Sequence, residues 1–234
     1  MKSVWSIGLV ALALLAVSSW ANVSAQDAST PQAVPSSIEP YSFDGPFAPS
    51  PNLCTVTPIS TDVAASLLAT PVAAVEPQLT SHGIVAIPGG TPAYVDTATA
   101  ITDVLTKLWA CNNASNLGAM LGLFTDEAVQ STFGFTDDTE WDLAELRSNV
   151  AAALTSGEPR TEDERSSIDG IASVLQQQDG RIGALVLNTD PGVANGHPVL
   201  DYFAFVLQDE GWKLDEIVLD PFDLTPEYGF NAST

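Results

Sequence analysis

The sequence predicts an α+β fold in which the helices come first along the chain and the strands follow. Apolar residues recur at helical spacing between residues 101 and 154, whereas the apolar runs from Ile168 onward are rich in β-branched and aromatic residues. Asp179-Gly180 and Glu210-Gly211 separate consecutive runs, which is typical of β-hairpins. Segregated helices and strands pack as helices on one face of a sheet. We therefore expect a cone-shaped, curved antiparallel sheet packed against N-terminal helices.

Residues 1–25 have the pattern of a secretory signal peptide. Lys2 gives a positive start, an apolar run covers residues 7–17, and Val23-Ser24-Ala25 is a small-residue cleavage motif. The run is too short to span a bilayer, and no cysteine follows it where a lipid anchor would attach. We expect an exported chain that is secreted or held at the exterior of the cell envelope.

The compact domain is predicted to follow a disordered linker, residues 26–52, and a docking arm, residues 53–95. The linker is rich in Ser, Pro, Ala, Thr and Gln, so it has little apolar surface to offset the entropy of ordering it. In the arm, residues 61–69 predict a short helix with Ser60 or Thr61 as its N-cap. This patterned piece carries a cysteine, which indicates that the arm docks on the main domain.

The chain has two cysteines, Cys54 in the arm and Cys111 in the compact domain. In an exported protein an even, minimal count predicts a disulfide. The closed loop of nearly sixty residues would stabilise the fold by about 4 kcal/mol in the chain-entropy account. The alternative is a pair of buried free thiols.

The compact domain is predicted to span residues 96–222, with residues 223–234 as a tail. Three amphipathic helices begin it, and Gly157 ends the third. A short first strand is predicted at Phe133-Gly134-Phe135, between the second and third helices. The apolar stripes of the three helices are Ile101, Val104, Leu105, Leu108 and Trp109; Leu117, Met120, Leu121 and Phe124; and Leu143, Leu146, Val150 and Leu154.

Two hairpins complete the predicted sheet. Each joins two runs with strand composition through a turn that contains glycine, and a turn-rich connection at residues 189–198 links them. The four strands are residues 171–177, 181–188, 199–208 and 212–219.

The charge of the chain excludes several kinds of partner. Seven Lys and Arg stand against 29 Asp and Glu, which gives a formal net charge of −22. Such a field repels nucleic acid and anionic membrane surfaces, so we expect neither as a partner. A solvated acidic surface is the simplest explanation. The acid clusters lack the spacing of a calcium loop, so we predict no metal site and no cofactor.

Three stretches resemble the nuclear transport factor 2-like superfamily, also called SnoaL-like, in its secreted bacterial form. The family pattern is a first helix ending in Asn-Ala-x-Asp, a Leu-Phe-x-Asp/Glu turn and a closing Asp-Gly-x-Trp-x-Ile hairpin. This chain has Asn113-Ala114-Ser115-Asn116, without the usual acid, and ends with Glu210-Gly211-Trp212-Lys213-Leu214. The resemblance covers about residues 96–220 and implies that a homodimer is among the expected assemblies. The three stretches are residues 101–114, 121–128 and 203–217.

Asp201 is the first candidate for a catalytic group. Side chains alternate along a strand, so Asp201 and Tyr202 point to opposite faces. If the face of Asp201 looks into the cone, its carboxylate lies in an apolar pocket and is a candidate general base. If Asp201 lies at the open end of the strand, it is solvated, and we favour this position. The residues on its face are Val199, Phe203, Phe205 and Leu207.

Two further candidates are His197 and Asp126. His197 lies in the loop before Pro198, and a His–Asp dyad would pair it with Asp201 or Asp126. The alternative, which we favour, is a histidine on a surface loop.

A set of aromatic residues makes up the candidate lining of a ligand pocket. Aromatic residues in such positions belong more often to a core than to a ligand platform, and we favour the core. Fold alone assigns no reaction, so we expect a non-catalytic domain that binds a small apolar ligand or a protein partner in the cone. The alternative is an isomerase, cyclase or dehydratase that uses a pocket carboxylate on a hydrophobic substrate. The candidate lining is Trp109, Phe124, Phe133, Phe135, Trp141, Tyr202 and Phe203.

Overall fold

The computed structural model describes residues 43–70, 85–134, 143–155, 157–193, 196–208 and 211–221. The predicted signal peptide, the predicted tail, Phe135 and Trp141 lie outside these residues. The α+β class is confirmed, because the described residues form five α-helices and a five-stranded antiparallel sheet.

The helices and strands alternate little along the chain, as the sequence predicts. The helices are α1 (Thr61–Leu68), α2 (Val95–Asn113), α3 (Leu117–Leu121), α4 (Asp126–Phe133) and α5 (Leu143–Leu154). The strands are β1 (Gly90–Pro92), β2 (Ser167–Gln177), β3 (Ile182–Thr189), β4 (Val199–Gln208) and β5 (Gly211–Val218).

The sheet is an antiparallel meander in the order β1-β2-β3-β4-β5. Both predicted hairpins are confirmed, since β2 pairs with β3 and β4 pairs with β5. Gly180 and Gly211 stand at the two connections with φ of +88° and +121°, which glycine adopts without steric cost. β1 differs from the prediction, which placed these residues in a loop of the arm; its Gly90 pairs with Gln177 of β2.

The main core lies between the helices and one face of the sheet, which we call the helix face. Trp109 of α2 meets Phe203 of β4 edge-on, with ring centroids 5.5 Å apart. Phe205 and Leu214 pair directly across β4 and β5, and both are completely buried. Burial of such side chains is the main source of stability in a fold of this kind.

The segment before α4 closes the β5 edge of the sheet. The Leu214 amide donates to Leu123 O, and the Thr125 amide donates to Leu214 O, each at 2.8 Å. The Thr125 hydroxyl then accepts from the Ala128 amide at 3.1 Å and caps α4. The prediction of a strand at 133–135 is wrong at Phe133, which ends this capped helix and packs edge-on against Phe124.

The predicted disulfide between Cys54 and Cys111 is confirmed. It joins the arm to α2 next to the helix face. Helix α1 of the arm packs against α5, where Ala64 and Ala65 meet Leu146 and Val150 in a second, smaller core. The Ser60 hydroxyl accepts from the Val63 amide and caps α1, as one of the two predicted N-caps.

Residues 43–52, which we assigned to the disordered linker, are built into the fold. Phe47 and Ile168 exchange two backbone hydrogen bonds of 2.9 Å at the outer edge of β2. Asn113, which is completely buried, donates its side-chain amide to Pro49 O at 2.9 Å. A buried amide needs such partners, so the end of α2 holds this segment in place.

Candidate functional site

Asp201 is buried on the helix face, with 6% of its surface exposed. Its Oδ2 accepts from Asn188 Nδ2 on β3, and its Oδ1 accepts from the Asp220 backbone amide, both at 2.9 Å. Asp220 has a φ of +39° and lies just beyond β5. Our expectation that Asp201 is solvated at the open end of its strand is therefore wrong, because the chain after β5 folds back over it.

The environment of Asp201 disfavours its charge. Burial raises the pKa of the Asp201 carboxyl, hydrogen bonds from Asp220 and Asn188 act in the opposite direction, and the nearby Asp220 charge raises it again. Both oxygens already accept from the chain itself. A general base must reach a substrate proton, so this arrangement makes Asp201 an anchor for the end of β5.

The other two catalytic candidates lie on the surface. His197 is exposed in the loop before β4, and Asp126 is exposed in the first turn of α4. A carboxylate in that turn favours the helix through its dipole. The exposed position of His197 agrees with the surface-loop histidine that we favoured. The carboxylate of Asp201 contacts Asn188 and Asp220, which does not support the alternative of a His197–Asp201 dyad.

The described aromatic candidates do not share one pocket. Trp109 packs on Phe203, and Phe124 packs on Phe133, so these four side chains contribute to the core. Tyr202 points to the opposite face of the sheet, as the alternation along β4 predicts.

We call this opposite face the outer face. Leu185 and Tyr202 pair across β3 and β4, and Val218 of β5 lies beyond Tyr202. Leu187 pairs with Leu200 on the same face and has 37% of its surface exposed. The outer face thus carries a continuous apolar row over three strands.

Residues 85–89, which we call the strap, pass over the outer face. The Val85 amide donates to Pro221 O at 3.3 Å, beyond the end of β5. Gly90, directly after the strap, pairs with β2 near the other edge of the sheet. The strap therefore crosses β4 and β3 between these two attachments.

A small cleft, with a volume of about 20 Å³, remains between the strap and the sheet. Among the described residues that line the cleft, none is charged. Its lining residues come from the strap and from β2, β3 and β4 and are Ile87, Pro88, Ser173, Leu175, Gly183, Leu185 and Tyr202.

A tyrosine–glutamine pair lies at one end of this cleft. The side-chain amide of Gln177 donates to the Tyr202 hydroxyl, and Gln177 has only 6% of its surface exposed. Burial raises the pKa of Tyr202 to about 12, so the hydroxyl keeps its proton at neutral pH. Sequence analysis missed Gln177, because its role depends on a partner 25 residues away.

Arg181 gathers three carboxylates beside this pair. Its Nε meets Asp179 at 2.8 Å, and its Nη1 meets Glu216 at 2.8 Å and Asp215 at 3.4 Å. Burial opposes the Arg181 charge, but Asp179 and Glu216 outweigh this and raise its pKa. One guanidinium facing three carboxylates leaves two formal negative charges unbalanced, so this end of the sheet is acidic.

A second polar cluster, at the C-terminal end of α2, is structural. Arg160 Nη1 contacts Asp190 at 3.0 Å, and Ser166 Oγ donates to Asp190 at 2.8 Å. Burial opposes ionisation of Asp190, but hydrogen bonds from Gly192 and Ser166 and the Arg160 charge together lower its pKa. These contacts hold the loop before β2 against β3.

Comparisons with protein-family models, with curated proteins and with solved structures found no match to this chain. In the described parts of the chain, no helix is long and apolar enough to cross a membrane. Over the same residues, no group of three or more His, Cys, Asp or Glu is arranged to hold a metal ion. The fold and the outer cleft therefore define the class: a disulfide-tethered α+β protein with an apolar cleft on its sheet.

Proposed function

We propose that this protein is an exported, non-catalytic binding module that recognises a protein partner through the outer face of its sheet. The observation that carries this proposal is the uncharged cleft beside Tyr202, flanked by the exposed Leu187. Exposed apolar surface with a concave centre is typical of interaction sites.

The helix face is filled by buried core side chains, which favours a binding site on the outer face instead. Phe203, Phe205 and Leu214 fill the helix face together with Trp109, all at most 7% exposed. The buried Asp201 there is already engaged by the chain. These contacts favour a binding role over the isomerase, cyclase or dehydratase alternative.

The size of the cleft favours a protein partner over a free small molecule. Small-molecule sites enclose roughly 300–1,000 Å³, whereas this cleft has about 20 Å³. That is room for about one water molecule, so a partner would make its contacts on the exposed Leu187 and the adjoining Leu200 beside the cleft. A second copy of this chain is one such partner.

Export and family membership are parts of the same proposal. Residues 1–25 have the signal pattern, and a disulfide persists mainly in oxidising compartments outside the cytosol. The antiparallel meander with helices on one face also agrees with a nuclear transport factor 2-like fold.

Binding of the neutral dye Nile red by two charge variants tests this proposal. Leu187→Asp places a charge in the apolar row, whereas Leu207→Asp places the same charge at an exposed position at the end of β4. Burying a leucine contributes about 1.5 kcal/mol or more, so we expect Leu187→Asp to weaken dye binding about tenfold. Leu207→Asp should bind as the parent does.

Chemical unfolding of both variants provides the control for this experiment. If Leu187→Asp is folded and binds the dye unchanged, or if both variants lose binding equally, the outer face is not the recognition surface.

A further inference from the structure

Asp201 and the strap are connected through two consecutive residues. The Asp201 carboxylate accepts from the Asp220 amide at 2.9 Å, and the carbonyl of the next residue, Pro221, accepts from the Val85 amide at 3.3 Å. Val85 is the first residue of the strap. A carboxylate buried on the helix face is therefore linked to the attachment of the segment that covers the outer face.

The backbone at Asp220 is strained, so it needs contacts that hold it. Its φ of +39° lies in the left-handed region, which costs free energy in residues other than glycine. Strained backbone persists where the surrounding contacts determine it. Asp220 has 8% of its surface exposed, and the buried Asp201 carboxylate accepts from its amide. Loss of this bond would free Asp220 to relax and to carry Pro221 with it.

The strap packs directly on the apolar row of the outer face. Ile87 and Pro88 of the strap line the small cleft together with Leu185 and Tyr202. The space that remains there is about 20 Å³, which is room for about one water molecule. Tyr202 has 2% of its surface exposed. The strap thus covers apolar surface that would otherwise be open to a partner.

The two ends of the strap are held differently. At its C-terminal end, β1 pairs with β2 over three residues, and the Ala93 amide donates to Val174 O at 3.0 Å. At its N-terminal end, Val85 makes the longer bond to the Pro221 carbonyl. A Cβ on Gly89 would meet no atom within 4 Å, so the backbone next to β1 has room to turn. The Val85 end is therefore the one that opens, with Gly89 as the hinge.

We propose that Asp201 is a positioning residue that holds the strap closed over the outer face. When its bond to the Asp220 amide opens, the Val85 end of the strap is released and the strap turns about Gly89. The apolar row beneath the strap then becomes accessible to a partner. This role rests on the proposed function, because it concerns the regulation of that same face.

Hydrogen exchange in the parent protein tests this connection without any substitution. We would follow the amides of Asp220, Val85 and Leu214 by NMR in the full chain; Leu214 donates to Leu123 O at 2.8 Å and reports on the core. Segments that open together share one opening free energy, so the protection of Asp220 and Val85 should agree within about threefold. Both should be less protected than Leu214. An unprotected Val85 amide, or one far less protected than Asp220, would show that Asp201 does not hold the strap.

Two substitutions at Asp201 test its role directly. Asp201→Ala removes both acceptor oxygens, and we expect the Val85 amide to exchange about tenfold faster, because a hydrogen bond to a charged group is lost. The Ala93 amide should keep its rate, since β1 stays paired with β2. Asp201→Asn retains an oxygen for the Asp220 amide and should restore most of the protection of Val85.

Val186→Ala provides the matched control for a general loss of stability. Val186 pairs with Asp201 across β3 and β4 and is completely buried. Its truncation lowers the stability of the same part of the core but leaves the bond between Asp201 and Asp220 in place. The Val85 amide of this variant should therefore exchange as it does in the parent. If it exchanges as fast as in Asp201→Ala, or if Asp201→Ala leaves it unchanged, the positioning role is wrong.

Nile red binding by the same variants distinguishes this role from the proposed function. We expect Asp201→Ala to bind the dye more tightly than the parent and Val186→Ala to bind it equally, because a released strap adds apolar surface beside Leu187. If Val85 is released in Asp201→Ala but dye binding stays unchanged, the positioning role stands and the outer face is not the recognition surface. If Asp201→Ala does not fold, the exchange rates of the parent and of Asp201→Asn decide.

Discussion

The helix face and the outer face of the same sheet have opposite characters. On the helix face, Phe203 and Phe205 are buried under α2 and neighbouring segments, and even Asp201 is sealed by hydrogen bonds. On the outer face, the strap is the only described segment that covers the apolar row, and a cleft remains beside Tyr202. The difference teaches that alternation along β4 places a closed core and a partly open apolar surface one residue apart.

The largest expected effect comes from removing a buried aromatic ring from the helix face. Phe205→Ala removes a fully buried ring and should lower the free energy of unfolding by about 3–5 kcal/mol. Leu187→Ala, on the outer face, should cost less than about 1 kcal/mol, because the side chain is partly solvated. Urea unfolding of both variants measures the contrast. Similar losses in the two would contradict a structural difference between the faces.

Removal of the disulfide should have the next largest effect. Cys54→Ser with Cys111→Ser opens a loop of 57 residues and should lower the stability of the fold by about 2–4 kcal/mol. Thermal unfolding of the double variant beside the parent measures this loss. Equal melting temperatures would show that the bond adds nothing to the docking of the arm.

Two glycines of the sheet provide a sharper test of the outer face. A Cβ on Gly183 would collide with the tyrosine–glutamine pair, whereas a Cβ on Gly170 would have its nearest neighbour, Leu187 Cβ, at 4.0 Å. We expect Gly183→Ala to cost about 1–3 kcal/mol and to close the cleft, as overpacking does. Gly170→Ala should be tolerated. Unfolding curves and dye binding of both variants check this.

The smallest expected effect is the pH dependence carried by the half-buried Asp190 and the buried Asp201. The pKa of Asp190 is lowered in the fold, so its stabilising contribution is present above its unfolded value of 3.8 and is lost as the pH falls through the folded value. The pKa of Asp201 is raised, so the fold loses stability as the pH rises from 3.8 through the folded value.

Unfolding free energies of the parent and of Asp190→Asn, measured across this acidic range, test the sign of the Asp190 contribution. The variant should lose less stability than the parent does on acidification. A steeper acid loss in Asp190→Asn would show that the ion pair with Arg160 does not stabilise the charged form.

Local chemistry explains what could be predicted from the sequence. The Asp179-Gly180 turn, the alternation of β4 and the pairing of Cys54 with Cys111 each depend on residue type and spacing, and the structure agrees with them. The burial of Asp201 could not be predicted, because it depends on Asp220 folding back from beyond the next strand.

The candidate site escaped prediction for a related reason. Pro88 and Ile87 lie in a stretch with loop composition, and nothing in their spacing indicates that they cover Tyr202. Phe133 shows the same limit. It belongs to a short aromatic run that predicts a strand, but it is the last residue of α4, whose N-terminus Thr125 caps. Contacts between distant segments decided both cases.

The bond between Cys54 and Cys111 also has a topological consequence. Every peptide bond between these two residues lies inside a covalently closed ring. A protease that cuts once within this ring leaves the two pieces of chain joined through the sulfur atoms. After such a cut helix α1 would stay attached to the rest of the chain, so a single nick in the arm would not by itself release it.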